Sequence, residues 1–475
     1  MYRTTWEDFR LENRDVSLTR RDFIKDTGKI AAGTAVAATA LSGSALAASS
    51  IPNVHLAQGS TINIVLIGCG GRGTGAAADA LATTSGPIKL IGMADVFDSK
   101  LKQSHDNLKE LYGDKVDVPA ERRFIGFDGY KHAIDLLKPN DVAIFTTPPA
   151  FRYVHFGYAI EKGVNVFMEK PVSVDGPGAR RMFKLGEESI KKGMKVGVGL
   201  MCRHCVARGE LFTRIRNGEI GEIINMRAYR TQDIVASFRS EPVPKGESEL
   251  MYQIKRFHSF LWLSGGAFND FYIHHIDETC WMKDAWPVQA NALGGRHYRE
   301  NFIDQNFDTY AVEYTFPDGS KLTLDGRCIP GCDNQFASYA HGSKGFAVIS
   351  EGGHSPAHPR IYKGQKATGT PQWAWDAPEP NPYRLEWEHL VKAIRNNTPY
   401  NEVKRGVQAS LVTTMGRVAA HSGLAVTYDQ MLNHPVELGP GIDKLTLSSA
   451  SPLRADANGK YPVPMPGMNG MKEFA

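Results

Sequence analysis

Residues 63–75 read NIVLIGCGGRGTG: an apolar run from Ile62 to Ile67, broken only by Asn63, enters a turn with glycine at 68, 70, 71 and 73. A short apolar run bounded by a turn is the pattern of a strand buried on both faces, as in a parallel sheet. The residues that follow, from about Thr74 to Ala82, are rich in alanine and read as a helix. Strand, G-x-G-x-x-G and helix, in that order, make a phosphate-binding turn. Gly68 permits the tight turn, Gly70 lets a pyrophosphate approach the backbone, and Gly73 lets helix and strand pack closely. The helix N-terminus then faces the anion. The next strand, Lys89 to Ala94, ends at Asp95, where a carboxylate can accept hydrogen bonds from ribose hydroxyls. It would repel the extra phosphate of NADP, so NAD is the expected cofactor. Arg72, inside the turn, argues the other way, because a guanidinium near this site can favour that phosphate.

The same grammar continues along the chain. Val142 to Thr146 is a strand that runs into Thr147-Pro148-Pro149, with a helix from Phe151 to Lys162. Val164 to Met168 then leads to Glu169-Lys170-Pro171. Alternating short apolar strands and amphipathic helices read as a doubly wound α/β domain, and Lys170 falls at the strand edge where such sheets bind ligands. Further on, Ile220 to Tyr229 and the pair Tyr310 to Phe316 and Lys321 to Leu324, joined at Pro317-Asp318-Gly319, read as strands of an antiparallel sheet. Gly352 to Pro380 shows no period and reads as a long surface excursion that could touch a neighbouring subunit. Glu386 to Asn396 and Val403 to Ser422 read as helices, and the chain from about Met431 as a proline-rich surface segment.

Composition bounds the class. The 475 residues, 42% hydrophobic and 22% charged, suffice for two or three domains, and the formal charge of +4 with no long basic tract argues against nucleic acid as a partner. Six cysteines are too few for a disulfide scaffold. The spacings Cys202–Cys205 and Cys328–Cys332 could in principle converge on zinc, but neither pair sits in a compact ribbon. Near the start, Arg20 and Arg21 precede a weakly apolar stretch, Ile30 to Ala48, with Ala45-Leu46-Ala47 as a cleavage site. This reads as an export signal of twin-arginine type over 1–47, with a leader to residue 60. The expected destination is the periplasm or the exterior, through the twin-arginine translocation machinery, with no stable membrane insertion once the signal is removed.

With the glycine turn, Glu169-Lys170-Pro171 resembles the glucose–fructose oxidoreductase, inositol dehydrogenase and rhizopine catabolism (Gfo/Idh/MocA) family. Gly265-Gly266 followed by Asp270, His274 and Asp277 is similar to a second stretch of that family. The likeness spans about Thr61 to Ser422. It implies an N-terminal Rossmann domain, expected over 61–196, and a C-terminal α/β domain with a large, open, mostly antiparallel sheet. That substrate and oligomerisation domain is expected over 197–390, with helices at 391–430 packing back on the first domain and the proline-rich segment at 431–475. It also implies a homodimer or homotetramer. Tyr272, where many members have glycine, and the extra imidazole of His275 depart from the family pattern.

On a regular helix Asp270 and His274, at i and i+4, share a face, with Asp277 on nearly the same stripe and His275 roughly 100° around. Oxidising a secondary alcohol needs a base for the hydroxyl proton while hydride leaves, and an imidazole suits that transfer. The resemblance gives this role to His274, with Lys170 steadying the developing alkoxide and Asp270 holding a neighbouring hydroxyl. The residues expected at the cofactor are Gly68, Gly70, Gly71, Arg72, Gly73, Asp95, Thr147, Pro148, Glu169 and Lys170. Those expected at the substrate are Arg203, His204, Tyr272, His275 and Asp277. The Asp-x-x-x-His-His-x-Asp cluster would also suit a divalent ion, but no metal is expected, because the reaction already has its hydride acceptor. The expected function is hydride transfer to or from a hydroxyl of a sugar or polyol with a tightly held NAD. The alternative is a glycoside hydrolase that uses retained NAD in a transient oxidation and elimination.

Overall fold

The computed structural model describes residues 59–297 and 301–474. The export signal expected over 1–47, and the leader apart from Gly59 and Ser60, lie outside the described residues. Among the described residues, no helix is long and apolar enough to cross a membrane.

The first sheet has six strands, β1 Ile62–Ile67, β2 Ile88–Asp95, β3 Arg123–Ile125, β4 Val142–Phe145, β5 Asn165–Met168 and β6 Val196–Val198, in the order β3-β2-β1-β4-β5-β6. Every pairing is parallel. The strand order reverses between β1 and β4, which opens a crevice at their carboxyl ends. Helix Gly71–Leu81 starts three residues earlier than its alanines suggest, inside the glycine turn itself. The turn is fixed by steric need. Gly68 has φ +96°, and a Cβ there would stand 2.7 Å from the amide nitrogen of Thr147. A Cβ on Gly73 would stand 2.0 Å from the carbonyl oxygen of Gly68, so the helix and strand can approach only without it.

The second sheet has nine strands, β7 Ile223–Gln232, β8 Gln289–Gly295, β9 Thr309–Thr315, β10 Lys321–Cys328, β11 Gln335–Gly342, β12 Phe346–Glu351, β13 Arg360–Tyr362, β14 Trp373–Ala374 and β15 Val426–Thr427. Only β7 and β10 run parallel; all other neighbours are antiparallel. This is the Rossmann domain plus open, mostly antiparallel sheet that the sequence implies. Helix Val403–Ser422 is buried along nearly its whole length and ties the two sheets together. A Cβ on its Gly416 would meet the Tyr314 hydroxyl of β9 at 2.0 Å, and one on Gly406 would meet Val198 of β6 at 2.9 Å. Ser410 of the same helix accepts a hydrogen bond from the Val172 amide at 3.0 Å, just past β5.

Two irregular stretches cover this frame. Residues 352–380, expected as a featureless excursion, carry β13 and β14 and bring His354 inward. Residues 434–474 have almost no regular structure and are fastened by side chains instead. Gln253 donates to the Leu453 carbonyl at 3.0 Å, Tyr461 to Glu249 at 2.8 Å, and Arg417 pairs with Glu473 at 2.9 Å.

Candidate functional site

A cavity of about 870 Å³ lies in the crevice between β1 and β4. Gly68 and Gly70 form its floor, Asp95 and Phe97 one flank, and Thr146 to Pro148 the other. Helix Gly71–Leu81 points its N-terminus here with no side-chain cap and no acidic residue in its first turn. Its free amides therefore remain available to an anion. Asp95 is anchored by accepting from the Cys69 amide at 2.6 Å and the Phe97 amide at 2.9 Å. Burial raises its pKa, while those backbone bonds oppose the shift. A carboxylate held at the end of β2, uncapped amides and a half-apolar groove fit a dinucleotide.

Arg72 is not part of that flank. Its guanidinium pairs with Glu169 at 2.7 Å, reaches Asp79 at 3.6 Å and stacks over Tyr383. With two carboxylates on it, Arg72 is occupied away from Asp95. It does not offer a phosphate site of the kind the sequence allowed. Glu169 is correspondingly a structural partner, fitted beside Gly199, where a Cβ would stand 2.6 Å from its carboxylate.

The chemistry-bearing cluster sits where the two sheets meet. Lys170 Nζ donates to the Asp270 carbonyl at 2.7 Å and lies 3.4 Å from its Oδ1. Oδ2 of Asp270 is 3.2 Å from His258 Nε2. Asp270 does not lie on a regular helix with His274: Phe268–Tyr272 forms a single π-type turn, and the α-helix Ile273–Lys283 begins only afterwards. Such wide turns re-aim side chains and are frequent at functional sites. Burial alone would raise the Asp270 pKa, but Lys170 and then His258 hold it well below the ordinary carboxylate value, so the group is an anion. His274 is pushed the other way, well below its ordinary value, by burial and then by Lys170 and Arg230, so its ring is neutral. Its Nδ1 is buried with no hydrogen-bond partner among the described residues.

His258, Arg230 and His354 complete the cluster, and of these Arg230 and His354 were not expected from the sequence. His258 follows Phe257, which lines the nucleotide cavity, so the cavity and the Lys170–Asp270 pair are adjacent along the chain. Arg230 Nη1 donates to His354 Nε2 at 3.0 Å, and His354 stacks obliquely on His274 with centroids 4.4 Å apart. Arg152 is a further buried guanidinium at the start of helix Arg152–Lys162. It donates to the Thr147 carbonyl at 3.0 Å, and its Nε and Nη1 have no partner among the described residues. Burial lowers its pKa to about 10. No periodicity flags these residues, because the tertiary fold and not a local pattern brings them together.

Sγ of Cys202 and ring nitrogens of His274 and His354 all lie within 4.8 Å of one another, a spacing a metal ion could bridge. Hydrogen bonds already engage two of these groups. Arg230 can only donate, so His354 Nε2 accepts and the neutral ring carries its proton on Nδ1, which faces Cys202 Sγ at 3.7 Å. Burial raises the Cys202 thiol well above its usual range, so it too keeps its proton. The two cysteine pairs do not converge either: Cys205 lies against Glu379, and Cys328 against Tyr272 and Gln232.

Five residues expected at the substrate have other partners. Arg203 forms a bidentate pair with Asp277 at 2.8–3.1 Å, and Asp277 is 1% exposed. His204 Nδ1 shares a hydrogen bond with His389 Nδ1 at 2.8 Å, and its Nε2 lies 3.3 Å from Glu402 Oε1. Tyr272 packs between Phe268 and Tyr310 over Gly326 of β10. His275 is buried against Phe336. Arg203, His204 and Asp277 sit in polar pairs, and Tyr272 and His275 in aromatic packing.

No known family model and no curated relative matches the chain. Solved structures do match its fold. An aldose–aldose oxidoreductase from Caulobacter crescentus, complexed with glycerol, is 17% identical with a TM-score of 0.60, over 78% of this chain and 100% of that one. A myo-inositol 2-dehydrogenase from Lactobacillus plantarum is 22% identical with a TM-score of 0.57, over 78% and 99%. A 3-ketoreductase from Actinomadura kijaniata, in complex with TDP-benzene and NADP, is 16% identical with a TM-score of 0.55, over 76% and 98%. At 16–22% identity the likeness establishes the two-domain fold of this chain.

Proposed function

We propose that this protein is an NAD-dependent oxidoreductase that moves hydride to or from a secondary hydroxyl of a sugar or polyol. The observation that carries the reading is the Lys170–Asp270–His258 chain beside a groove that fits a dinucleotide. Bound NAD would supply the hydride acceptor. Gly68, Gly70 and the first turn of helix Gly71–Leu81 would hold its phosphates, and Asp95 its ribose.

The roles follow from the hydrogen bonding. Asp270, with one oxygen toward Lys170 and the other toward His258, orients both beside the reacting oxygen. The Lys170 ammonium lowers the cost of the developing alkoxide. His274, neutral and adjacent, takes up the hydroxyl proton. The engaged oxygens of Asp270 make it a positioning anion more than a hydroxyl ligand. Asp95, with Arg72 occupied elsewhere, supports NAD over NADP. The paired arginines of the first 47 residues support export, and the fold supports assembly through the open sheet.

The test is to denature the purified protein, made without added nucleotide, and quantify what it releases by mass spectrometry, then to titrate the emptied protein with NADH and NADP(H). Binding of NAD(H) at least tenfold tighter than NADP(H), with reduction of bound NAD by members of a sugar and polyol panel, supports the reading. Absence of any nucleotide affinity sinks it.

A further inference from the structure

We propose that residues 437–445 form the outer wall of the nucleotide site and act as a clasp that keeps the dinucleotide bound through turnover. This rests on the reading above. The cavity is walled from three parts of the chain: the glycine turn and β-strand ends, Ile254 and Phe257 from the second half, and Ile442, Asp443 and Leu445 from the irregular segment. Ile442 is 4% exposed and belongs to one apolar cluster with Phe151 and Trp262. Leu438 and Leu445 pack on that same cluster, as do Val96 and Phe97 beside Asp95.

The wall is fastened before and after the cavity. The Leu438 amide donates to Asp175 Oδ2 at 2.9 Å, and Arg181 forms a two-pronged ion pair with Glu437. Gly439 lies so close to Trp262 that a Cβ would stand 2.9 Å from the ring. Farther along, the Leu453 carbonyl, the Ala455 amide and Tyr461 are each held by side chains of helix Glu249–Lys255, and Glu473 is buried against Arg417. An unanchored surface segment would open with little cost; this one opens only by exposing an apolar cluster and breaking several bonds.

A cofactor held in this way must be reset in place. NAD held by Gly68, Gly70 and Asp95 would accept the hydride lost when a substrate alcohol is oxidised, with one proton released. The cycle would close when a carbonyl carbon takes that hydride back and its oxygen takes up a proton. The second carbonyl is either another sugar or polyol-derived ketone or aldehyde, or the oxidised substrate itself after a bond elsewhere in it has broken.

The experiment loads the full-length protein with NADH, chases with excess NAD, and follows release by nicotinamide fluorescence. Wild type is expected to release with a half-time of minutes or longer, against typical turnover on the order of 10 s⁻¹. Ile442→Ala, which thins the wall, and Arg181→Glu, which turns the ion pair repulsive, each raise the release rate by about tenfold or more. Arg181 is 41% exposed on its side chain, so its substitution does not threaten folding, and the exchange Arg181→Glu with Glu437→Arg restores slow release. Release from wild type within a second, or identical rates in all four proteins, overturns the clasp while leaving the oxidoreductase reading intact. Wild type that binds neither nucleotide overturns both.

Discussion

Lys170 and Asp270 come from opposite halves of the fold, yet Lys170 Nζ donates to the Asp270 main-chain carbonyl at 2.7 Å and stands 3.4 Å from the carboxylate. One residue lies just past the end of β5 of the parallel sheet; the other lies in the π-type turn that precedes helix Ile273–Lys283. Both side chains are nearly buried, so the charge pair is screened little by water. The contact therefore sets where the two halves meet and what charge the meeting point carries.

Removal of the ammonium is the first test of that arrangement. Lys170→Met should lower kcat by about 10²- to 10⁴-fold with NADH affinity kept within a fewfold, as expected for a group that acts on the reacting oxygen. Lys170→Arg should not rescue it, because a planar fork cannot reproduce both contacts to Asp270 from one point. Steady-state rates on any turned-over sugar, together with NADH titration, check both statements. A Met variant that loses nucleotide binding and keeps kcat would place Lys170 on the cofactor instead.

Asp277 should behave differently despite sharing the motif. Its carboxylate closes a buried pair with Arg203, itself between the rings of Trp281 and Trp286. Asp277→Asn leaves the guanidinium without its counter-charge and should cost about 3 kcal/mol of stability. The folded fraction should keep wild-type kcat and KM. Urea unfolding beside kinetics separates the two; a large kcat loss at unchanged stability would return Asp277 to the site.

These two residues show how far the sequence is legible. The glycine turn, the ends of β1, β2, β4 and β5, helix Val403–Ser422 and the hairpin of β9 and β10 follow from local rules of period and sterics. Lys170, Asp270 and His274 come together as the motifs imply. What spacing misreads is the geometry between them: a π-type turn breaks the i to i+4 register, sends Tyr272 onto β10 and leaves Asp277 to Arg203. Arg72 looks like a phosphate ligand in the sequence because Glu169 and Asp79 are distant along the chain and adjacent in space. His258, Arg230, His354 and Arg152 carry no local signal, since only long-range strand pairing and loop packing bring them in.

Glu386 offers a stability prediction of known sign. Its carboxyl is 2% exposed, neither oxygen has a partner among the described residues, and burial followed by repulsion from Glu169 raises its pKa well above 4.5. The folded protein keeps a proton that the unfolded chain releases, so stability falls as pH rises from the ordinary carboxyl value toward the raised one. Each pH unit in that window is worth about 1.4 kcal/mol. Glu386→Gln removes the dependence and should be more stable than wild type at pH 8, with the gap closing near pH 4.5. Urea midpoints at the two pH values decide it; equal stability at pH 8 would mean that Glu386 is ionised and paired.

Glu473 carries the opposite sign. Burial would raise its pKa, but Arg417, and then His421 at 2.7 Å from Oε1, bring it down to about 2 from 4.5. A depressed carboxylate contributes stability that is present above its unfolded pKa and is lost as pH falls through the folded one. The window is therefore roughly pH 4.5 to 2, and the contribution above it about 3 kcal/mol. Glu473→Gln forfeits this and leaves Arg417 without the counter-charge it now faces, beside the carbonyl oxygens of Val174 and Gly265. It should unfold at lower urea at pH 7 and show a flatter fall between pH 4.5 and 2 than wild type. His421, whose pKa burial lowers against the opposing pull of Glu473, adds a loss below about 6.5 that the substitution deepens, so Glu473 itself is read from the slope between pH 4.5 and 2. If the two curves run parallel through the acid range, the Arg417–Glu473 pair does not hold the segment down.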